Sequence, residues 1–166
     1  MRDNAHARLM NSEYKFQRHI YDLTRKYYLL GRDRMLDALQ VPDGGSVIEI
    51  GCGTGRNLIK AARRYPKAEF FGVDISDEML KTACANIEKA GLSERIRLGQ
   101  GDATGFSAQD VFGQAEFDRA FISYALSMIP DWKNTIRHSA TMLREGGALH
   151  IVDFGQQENM PGWFRK

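Results

Sequence analysis

The chain carries the stretch Val47-Ile48-Glu49-Ile50-Gly51-Cys52-Gly53-Thr54-Gly55, in which β-forming residues lead into three glycines at alternate positions. A helical pattern begins directly afterwards, at Arg56. This order predicts a buried strand, a turn whose glycines let the backbone approach a ligand, and a helix whose first N–H groups point at that ligand. A dinucleotide site would place a third glycine where Arg56 stands, so the spacing differs from that fingerprint. A glycine-rich turn without a ligand is the alternative.

A second short strand, Ala68 to Val73, ends at the acidic residue Asp74. In nucleotide-binding α/β units an acid at the tip of strand 2 accepts hydrogen bonds from the ribose hydroxyls, and Asp74 occupies that place. Ser76 is predicted to cap the next helix, which continues with helical spacing of apolar residues as far as Gly91. Most of those residues are expected in the core, but Met79, in the first turn, is expected to touch the ligand.

The rest of the chain continues the alternation of strands and helices. Strand 3 is predicted at Arg95–Gln100, strand 4 at Glu116–Ile122 and strand 5 at Ala148–Val152. A helix is predicted from Asp131 through Leu143, with Gly146-Gly147 as its end. Alternation of this kind predicts an α/β fold: a parallel sheet with helices on both faces, which binds ligands outside the carboxyl ends of its strands.

The glycine turn resembles motif I of the class I S-adenosylmethionine-dependent methyltransferases, which have a Rossmann-like fold. The resemblance implies that S-adenosylmethionine binds at this rim and leaves as S-adenosylhomocysteine. It also implies that Asp102, after strand 3, binds the adenine amino group, while the next backbone N–H meets a ring nitrogen. The residues expected at the cofactor are Glu49, Gly51, Cys52, Gly53, Gly55, Asn57, Asp74, Ile75, Met79, Asp102, Ala103 and Ser123.

The length and composition of the chain predict a single domain with the composition of an ordinary soluble protein. The chain has 166 residues, 43% of them hydrophobic and 27% charged, and no apolar run approaches the ~20 residues of a membrane span. Its N-terminus is too polar for a signal peptide. The two cysteines, Cys52 and Cys84, lack metal-binding spacing, so no metal and no disulfide framework are expected. We expect a cytoplasmic protein without a nucleic-acid partner, and its oligomeric state stays open.

The single methyltransferase domain, 1–166, is divided into a helical cap at 1–45, a cofactor-binding core at 46–152 and a C-terminal part that begins at 153. Class I methyltransferases normally close with a hairpin of strands 6 and 7, but few residues follow Val152. Strand 5 would then form an exposed apolar edge. Residues 161–166 look like the opening of a further helix, so we expect a longer natural protein. A minimal five-strand version is the alternative.

The cap bears on the substrate because it is aromatic and basic. Residues 7–30 contain no proline or glycine and predict one or two helices, and a further helix is expected from Arg32 to Leu39. Residues 1–40 hold eight Lys or Arg against five Asp or Glu. That surplus suits an anionic membrane surface, to which the protein would bind peripherally. A solvated helix face explains the same charges.

Three segments are similar to the bacterial diacylglyceryl-homoserine N-methyltransferases, which make betaine lipids: Gln17–Asp33, Cys52–Leu58 and Tyr124–Trp132. The resemblance runs from about Tyr14 to Lys166. It implies successive methyl transfers to the primary amine of a lipid head group, ending in a quaternary ammonium.

Alignment for in-line displacement would supply most of the catalysis in that reaction, without a metal or a covalent nucleophile. The acceptor amine must be neutral to attack. Tyr21 and Tyr124 are predicted to line its pocket, where aromatic faces favour the cationic product, and Ser127 is a weaker candidate. His138 and His150 are interpreted as structural because they lie within a predicted helix and strand, while the role of His19 stays open.

Two further interpretations remain. One is a phosphatidylethanolamine or prenyl-quinone methyltransferase that shares this core. The other, from a different class, is a cofactor-binding or assembly subunit without catalysis of its own.

Overall fold

The computed structural model describes residues 31–153. The cap segment before Gly31, with Tyr21 and His19, and the segment after Asp153 lie outside the described residues. The described elements are α1 (Arg32–Ala38), β1 (Ser46–Ile50), α2 (Arg56–Arg64), β2 (Glu69–Asp74), α3 (Asp77–Lys89), β3 (Ile96–Gln100), α4 (Ala108–Phe112), β4 (Phe117–Ser123), a 3₁₀ turn (Leu126–Met128), α5 (Trp132–Thr141) and β5 (Leu143–Val152).

The five strands form one parallel sheet in the order β3-β2-β1-β4-β5. All five residues of β1 are buried, as expected for a central strand that has neighbours on both sides and helices on both faces. The predicted α/β fold is therefore confirmed. Since β1 pairs with β2 on one side and β4 on the other, the chain segments that follow these strands meet at the same edge of the sheet.

Hydrophobic side chains fill both faces of the sheet. On one face α1, α2 and α3 pack over Phe70 and Phe121. On the other face α4 and α5 pack over Phe71 and Ile122. The Phe71 ring of β2 meets the Phe117 ring of β4 edge-to-face, with ring centroids 5.1 Å apart, so aromatic packing spans the face of the central strand β1 between them.

The boundary between α5 and β5 differs from the prediction. The helix ends at Thr141 rather than Leu143, and β5 begins at Leu143 instead of Ala148. Phe117 pairs with Leu143 and Arg119 with Ala148, so four residues of β5 bulge between these pairs. Gly146, with a φ of 76°, lies in this bulge. The glycine pair therefore shapes a strand irregularity and does not end the helix.

Helix α1 is fastened to the sheet near its C-terminal end. The Arg119 guanidinium donates to the carbonyl oxygens of Leu39 (2.7 Å) and Gln40 (3.0 Å), and the Tyr65 hydroxyl donates to that of Leu36 (2.8 Å). These bonds satisfy carbonyl groups at and just after the last turn of α1, which lack helical partners. The start of α1 consequently lies at the carboxyl edge of the sheet, where Gly31 packs close to Val152.

Among residues 31–153, β5 is the last strand of the sheet on the side of β4, and Ile151 on it is 42% exposed. Within residues 31–153, no helix has the length and apolar character needed to cross a bilayer.

His150 lies on β5, paired with Phe121, and its Nε2 atom is buried without a hydrogen-bond partner among residues 31–153. Burial lowers the pKa of this imidazole, and the positive charge of Arg119 lowers it further. The native state therefore favours the neutral ring.

Substitutions at two glycines, Gly99 and Gly105, can test how closely β3 and α4 pack. A Cβ on Gly99 would collide with Cγ1 of Val111, whereas a Cβ on Gly105 would meet no atom within 4 Å. We expect Gly99→Ala to lower the free energy of unfolding by about 1–3 kcal/mol, the usual cost of overpacking. Gly105→Ala, the matched control, should change it by less than about 0.5 kcal/mol. Urea titrations measure both values, and equal values would contradict this packing.

The neutral state of His150 predicts a pH dependence of stability. As the pH falls below the ordinary histidine pKa, the unfolded chain takes up a proton more readily than the native protein, so the native state loses stability. We expect the loss of unfolding free energy between pH 7.5 and 5.5 to be smaller in His150→Gln than in the unsubstituted protein. Urea unfolding at the two pH values measures this difference, and parallel losses in the two proteins would contradict it.

Candidate functional site

A cavity of about 300 Å³ opens at the carboxyl ends of the strands. Of the residues expected at the cofactor, all but Gly55 line it. The residues that line it are Arg32, Glu49, Gly51, Cys52, Gly53, Thr54, Arg56, Asn57, Val73, Asp74, Ile75, Met79, Gly101, Asp102, Ala103, Thr104, Ser123, Tyr124, Ala125, Met128, Ile129, Pro130 and Asp131. Residues distant in sequence thus converge on one concave surface, as a ligand site requires.

The glycine turn is held against the end of β2. The N–H groups of Gly51 and Cys52 both donate to the Val73 carbonyl oxygen, at 2.8 and 3.0 Å. The Gly53 N–H donates to Oδ2 of Asp74, at 2.8 Å. A Cβ on Gly53, whose φ is 52°, would meet no atom within 4 Å. The turn therefore presents bare backbone to the cavity at this position.

Gly55 serves a packing role. It precedes α2 with a φ of 74°, and a Cβ there would come within 3.2 Å of the Ala83 Cβ on α3. Gly55 does not line the cavity, and its expected contact with the ligand stays a prediction. The glycine lets α2 begin in tight contact with α3.

Glu49 lies at the bottom of the cavity and is fully buried. Its Oε1 accepts a hydrogen bond of 2.8 Å from Nδ2 of Asn57, in the first turn of α2. A buried carboxylate needs hydrogen-bond donors to offset its lost hydration, and Asn57 is one of them. The end of β1 and the start of α2 are thereby tied together across the glycine turn.

Two more carboxylates lie at the ends of β2 and β3, since Asp74 is the last residue of β2 and Asp102 comes two residues after β3. Asp74 accepts the Ser76 N–H on Oδ1 (2.9 Å) and the Gly53 N–H on Oδ2. Asp102 accepts both the N–H (2.8 Å) and the hydroxyl (2.7 Å) of Thr104 on Oδ1, and its side chain is exposed. Because each carboxylate oxygen has two lone pairs, oriented carboxylates of this kind can accept hydrogen bonds from a ligand as well.

The Cys52 thiol is buried beside these acids. Burial raises its pKa well above the ordinary value, and the negative charges of Asp74 and Glu49 raise it further. The thiol therefore stays protonated, which makes it a poor nucleophile.

The segment after β4 forms the opposite wall of the cavity. Tyr124 has a φ of 54°, its N–H donates to the Val152 carbonyl oxygen (2.8 Å), and its side chain is buried. Burial raises the pKa of the Tyr124 phenol, the charge of Asp153 also raises it, and Arg32 opposes both effects. The Ser123 hydroxyl is buried and has no hydrogen-bond partner in the part of the chain that the structure describes.

Ser127 does not reach the cavity. It is exposed on the 3₁₀ turn, and its N–H donates to Oδ2 of Asp153 at 3.3 Å. Its role in catalysis stays a prediction, which its position outside the cavity lining does not support. The histidines in described segments also lie outside the lining: Nε2 of His138 is 2.8 Å from the Phe106 carbonyl oxygen, and His150 is on β5.

The sequence analysis did not identify Arg32 and Arg56, the two Arg or Lys residues that line the cavity within residues 31–153. Each is the first residue of a helix and follows a glycine with positive φ. The same rule that placed Asn57 at the rim could have found Arg56. Arg32 had no such signal, since its position depends on how α1 docks on β4 and β5. Among residues 31–153, no group of three or more His, Cys, Asp or Glu side chains is arranged to hold a metal ion.

Comparisons with known proteins agree with this architecture. The sequence profile of a methyltransferase domain family matches residues 47–147. A demethylmenaquinone methyltransferase from Listeria welshimeri is 28% identical over 139 residues, which cover 83% of this chain and 56% of the relative.

Solved structures share the fold. The YcgJ protein from Bacillus subtilis has a TM-score of 0.64 at 26% identity, over 74% of this chain and 49% of that one. A methyltransferase from Thiobacillus denitrificans, solved with S-adenosyl-L-homocysteine, has a TM-score of 0.61 at 23% identity, over 80% of this chain and 54% of that one. This chain spans about half the length of the relatives it matches.

The family profile covers more than half of the 166 residues, from β1 to the bulge of β5. The fold and the cavity at the strand ends agree with it. The chain therefore belongs to the class I S-adenosylmethionine-dependent methyltransferases.

Proposed function

We propose that this chain binds S-adenosylmethionine in the cavity at the strand ends and transfers its methyl group to the amine of a lipid head group. The observation that carries the cofactor site is the cavity itself. It is lined by the glycine turn and by acids at the carboxyl ends of three adjacent strands, namely Glu49 of β1, Asp74 of β2 and Asp102 just after β3.

The cofactor's adenosine is proposed to lie over β2 and β3. Asp74 would accept hydrogen bonds from the ribose hydroxyls, and Asp102 from the adenine amino group, with the Ala103 N–H donating to a ring nitrogen. Ile75 and Met79 supply apolar contact from the start of α3. The bare backbone at Gly53 would leave room for the ligand.

The methionine part of the cofactor carries an ammonium, a carboxylate and the sulfonium. We place the cationic groups toward Glu49, the Gly51 backbone and the Ser123 hydroxyl, and the carboxylate toward Arg32. Opposite charges in a cavity shielded from water attract more strongly than on the surface. This orientation turns the methyl group toward Tyr124.

In the transfer step the amine nitrogen uses its lone pair to form the new bond to the methyl carbon. The carbon–sulfur bond breaks, and its electron pair stays on sulfur, which yields S-adenosylhomocysteine. The amine must reach the site neutral, and burial favours that form because it disfavours the ammonium. After each of the first two transfers a proton leaves the nitrogen before the next attack. Tyr124, and Tyr21 of the cap, are proposed to line the acceptor pocket, where aromatic faces stabilise the cationic product.

The choice of a lipid amine rests on the similarity of the cap and of the segment after β4 to the betaine-lipid enzymes. A prenyl quinone is the second candidate acceptor, favoured by the 28% identity to a demethylmenaquinone methyltransferase. The non-catalytic alternative keeps the same cofactor site and differs only in lacking turnover.

The cofactor assignment predicts a loss of affinity in Asp74→Asn. The amide replaces one charged acceptor by a donor of similar size, so a charge-assisted hydrogen bond to ribose is lost. We expect the dissociation constant for S-adenosylmethionine to rise by roughly ten- to a hundred-fold, as hydrogen bonds to charged groups contribute about 1.5–3 kcal/mol. Calorimetry measures this constant, and urea unfolding checks that the variant is folded.

Asp77→Asn is the matched control for that experiment. Asp77 is a neighbouring acid that pairs with Lys81 on the surface of α3 and does not line the cavity. The affinity of Asp77→Asn for S-adenosylmethionine should stay unchanged. Equal affinity in the Asp74 and Asp77 variants would rule out the proposed ribose contact.

The acceptor assignment predicts which lipid gains methyl groups. The purified protein is mixed with S-adenosylmethionine and vesicles that contain diacylglyceryl-homoserine, phosphatidylethanolamine or a demethylated prenyl quinone, and the lipids are analysed by mass spectrometry. We expect trimethylated homoserine lipid, and much less of it with Asp74→Asn. Methylated quinone alone would favour the second candidate. Cofactor binding without any methylated product would favour the non-catalytic alternative.

A further inference from the structure

An unusual surface adjoins the mouth of the cavity. The wall residues 128–131 lead directly into α5, whose first residue, Trp132, is 46% exposed. Of the large hydrophobic side chains within residues 31–153, Trp132 and Ile151 are the exposed ones. Because the indole combines an apolar ring with a polar N–H, Trp132 suits a boundary that is apolar on one side and wet on the other.

Two exposed cations lie close to Trp132 on α5, and one exposed acid, Asp131, precedes it at the helix cap. Lys133 and Arg137 are exposed one turn apart on α5, and Nζ of Lys133 lies 5.5 Å from the centroid of the Trp132 ring. Neither cation forms an ion pair with a carboxylate in the described part of the chain, whereas Lys60, Arg64 and Lys81 on other helices do. The nearest acid in sequence, Asp131, accepts the Asn134 N–H as the helix cap.

This combination fits an anionic bilayer surface. Indole rings favour the level of the lipid head groups, and each Lys or Arg near anionic lipid contributes about 1 kcal/mol. The surface lies next to Met128, Ile129 and Pro130 of the cavity wall. A head group could therefore pass from the bilayer into the cavity while its acyl chains remain in the membrane.

We propose that Trp132, Lys133 and Arg137, here called the α5 surface, dock the protein onto an anionic membrane and position the cavity mouth at the lipid head groups. The proposal rests on the proposed function in one respect, that the acceptor is a lipid. The docking itself requires no turnover, so the two can be tested separately.

The test measures binding of the full chain to vesicles of phosphatidylcholine with and without phosphatidylglycerol, by co-sedimentation. Lys133→Gln/Arg137→Gln should weaken binding to the anionic vesicles by roughly ten- to thirty-fold, from two cations of about 1 kcal/mol each. Arg63→Gln/Lys89→Gln is the matched control. It removes one Arg and one Lys that are exposed near the C-terminal ends of α2 and α3, so it should bind like the unsubstituted protein.

The indole ring is tested by fluorescence. The chain has two tryptophans, Trp132 and Trp163. In Trp163→Phe, emission from Trp132 should shift to shorter wavelength when anionic vesicles are added, because the ring enters a less polar environment. Trp132→Ala should bind these vesicles more weakly.

Three results would overturn the docking proposal: no binding of the unsubstituted protein to anionic vesicles, equal loss in the two double variants, or no emission shift. Binding of the α5 surface to single-stranded RNA but not to vesicles would show that the partner is a nucleic acid and not a membrane.

Methylation of a water-soluble short-chain homoserine lipid serves as the separate readout of the proposed function. It should be unchanged in Lys133→Gln/Arg137→Gln, and its absence in the unsubstituted protein would overturn the proposed function while leaving docking intact.

Discussion

Burial of Glu49 is the constraint on which the site depends. This carboxylate lies in a central strand whose five residues are all buried, where losing hydration is costly unless donors replace water. Asn57 supplies one donor from the first turn of α2. Since Glu49 and Asn57 are eight residues apart, the intervening turn must fold back sharply, and alternate glycines make that path accessible. The strand, the turn and the helix start are therefore fixed as one unit.

The same unit is continuous with the ends of β2 and β3. The glycine turn donates to the Val73 carbonyl oxygen and to the Asp74 side chain, and the Gly101 N–H donates to the Asp74 carbonyl oxygen at 3.1 Å. Three adjacent strand ends are thus linked by hydrogen bonds before any ligand arrives. The free-energy cost of ordering the protein when a ligand binds there is therefore small, and a small ordering cost raises the affinity of a preorganised site.

The sequence alone was sufficient to predict the position of a residue where a local pattern and the parallel pairing of strands lead to the same position. The positions of Asp74 and Asp102 at the cavity were predictable because an acid at or just past the end of a strand lies at the carboxyl edge of a parallel sheet. Pattern failed where a distant contact decides the outcome. Gly146-Gly147 looked like a helix end, but pairing of Leu143 with Phe117 draws those residues into the strand. Ser127 was predicted to lie at the rim, but the positive φ of Tyr124 and the 3₁₀ turn after it place Ser127 outside the cavity lining.

The two sides of the cavity differ in what constrains them. The wall over β2 and β3 lies entirely within the segment shared with other methyltransferases, as expected if one cofactor imposes one set of contacts. Arg32, on the opposite side, lies before that segment and is placed by the docking of α1, whose end is held by Arg119. Tyr124 lies within the shared segment, but its N–H bonds to Val152, beyond the end of that segment. The proposed acceptor side of the cavity is thus held by tertiary contacts from outside the shared segment, whereas the proposed cofactor side is held within it.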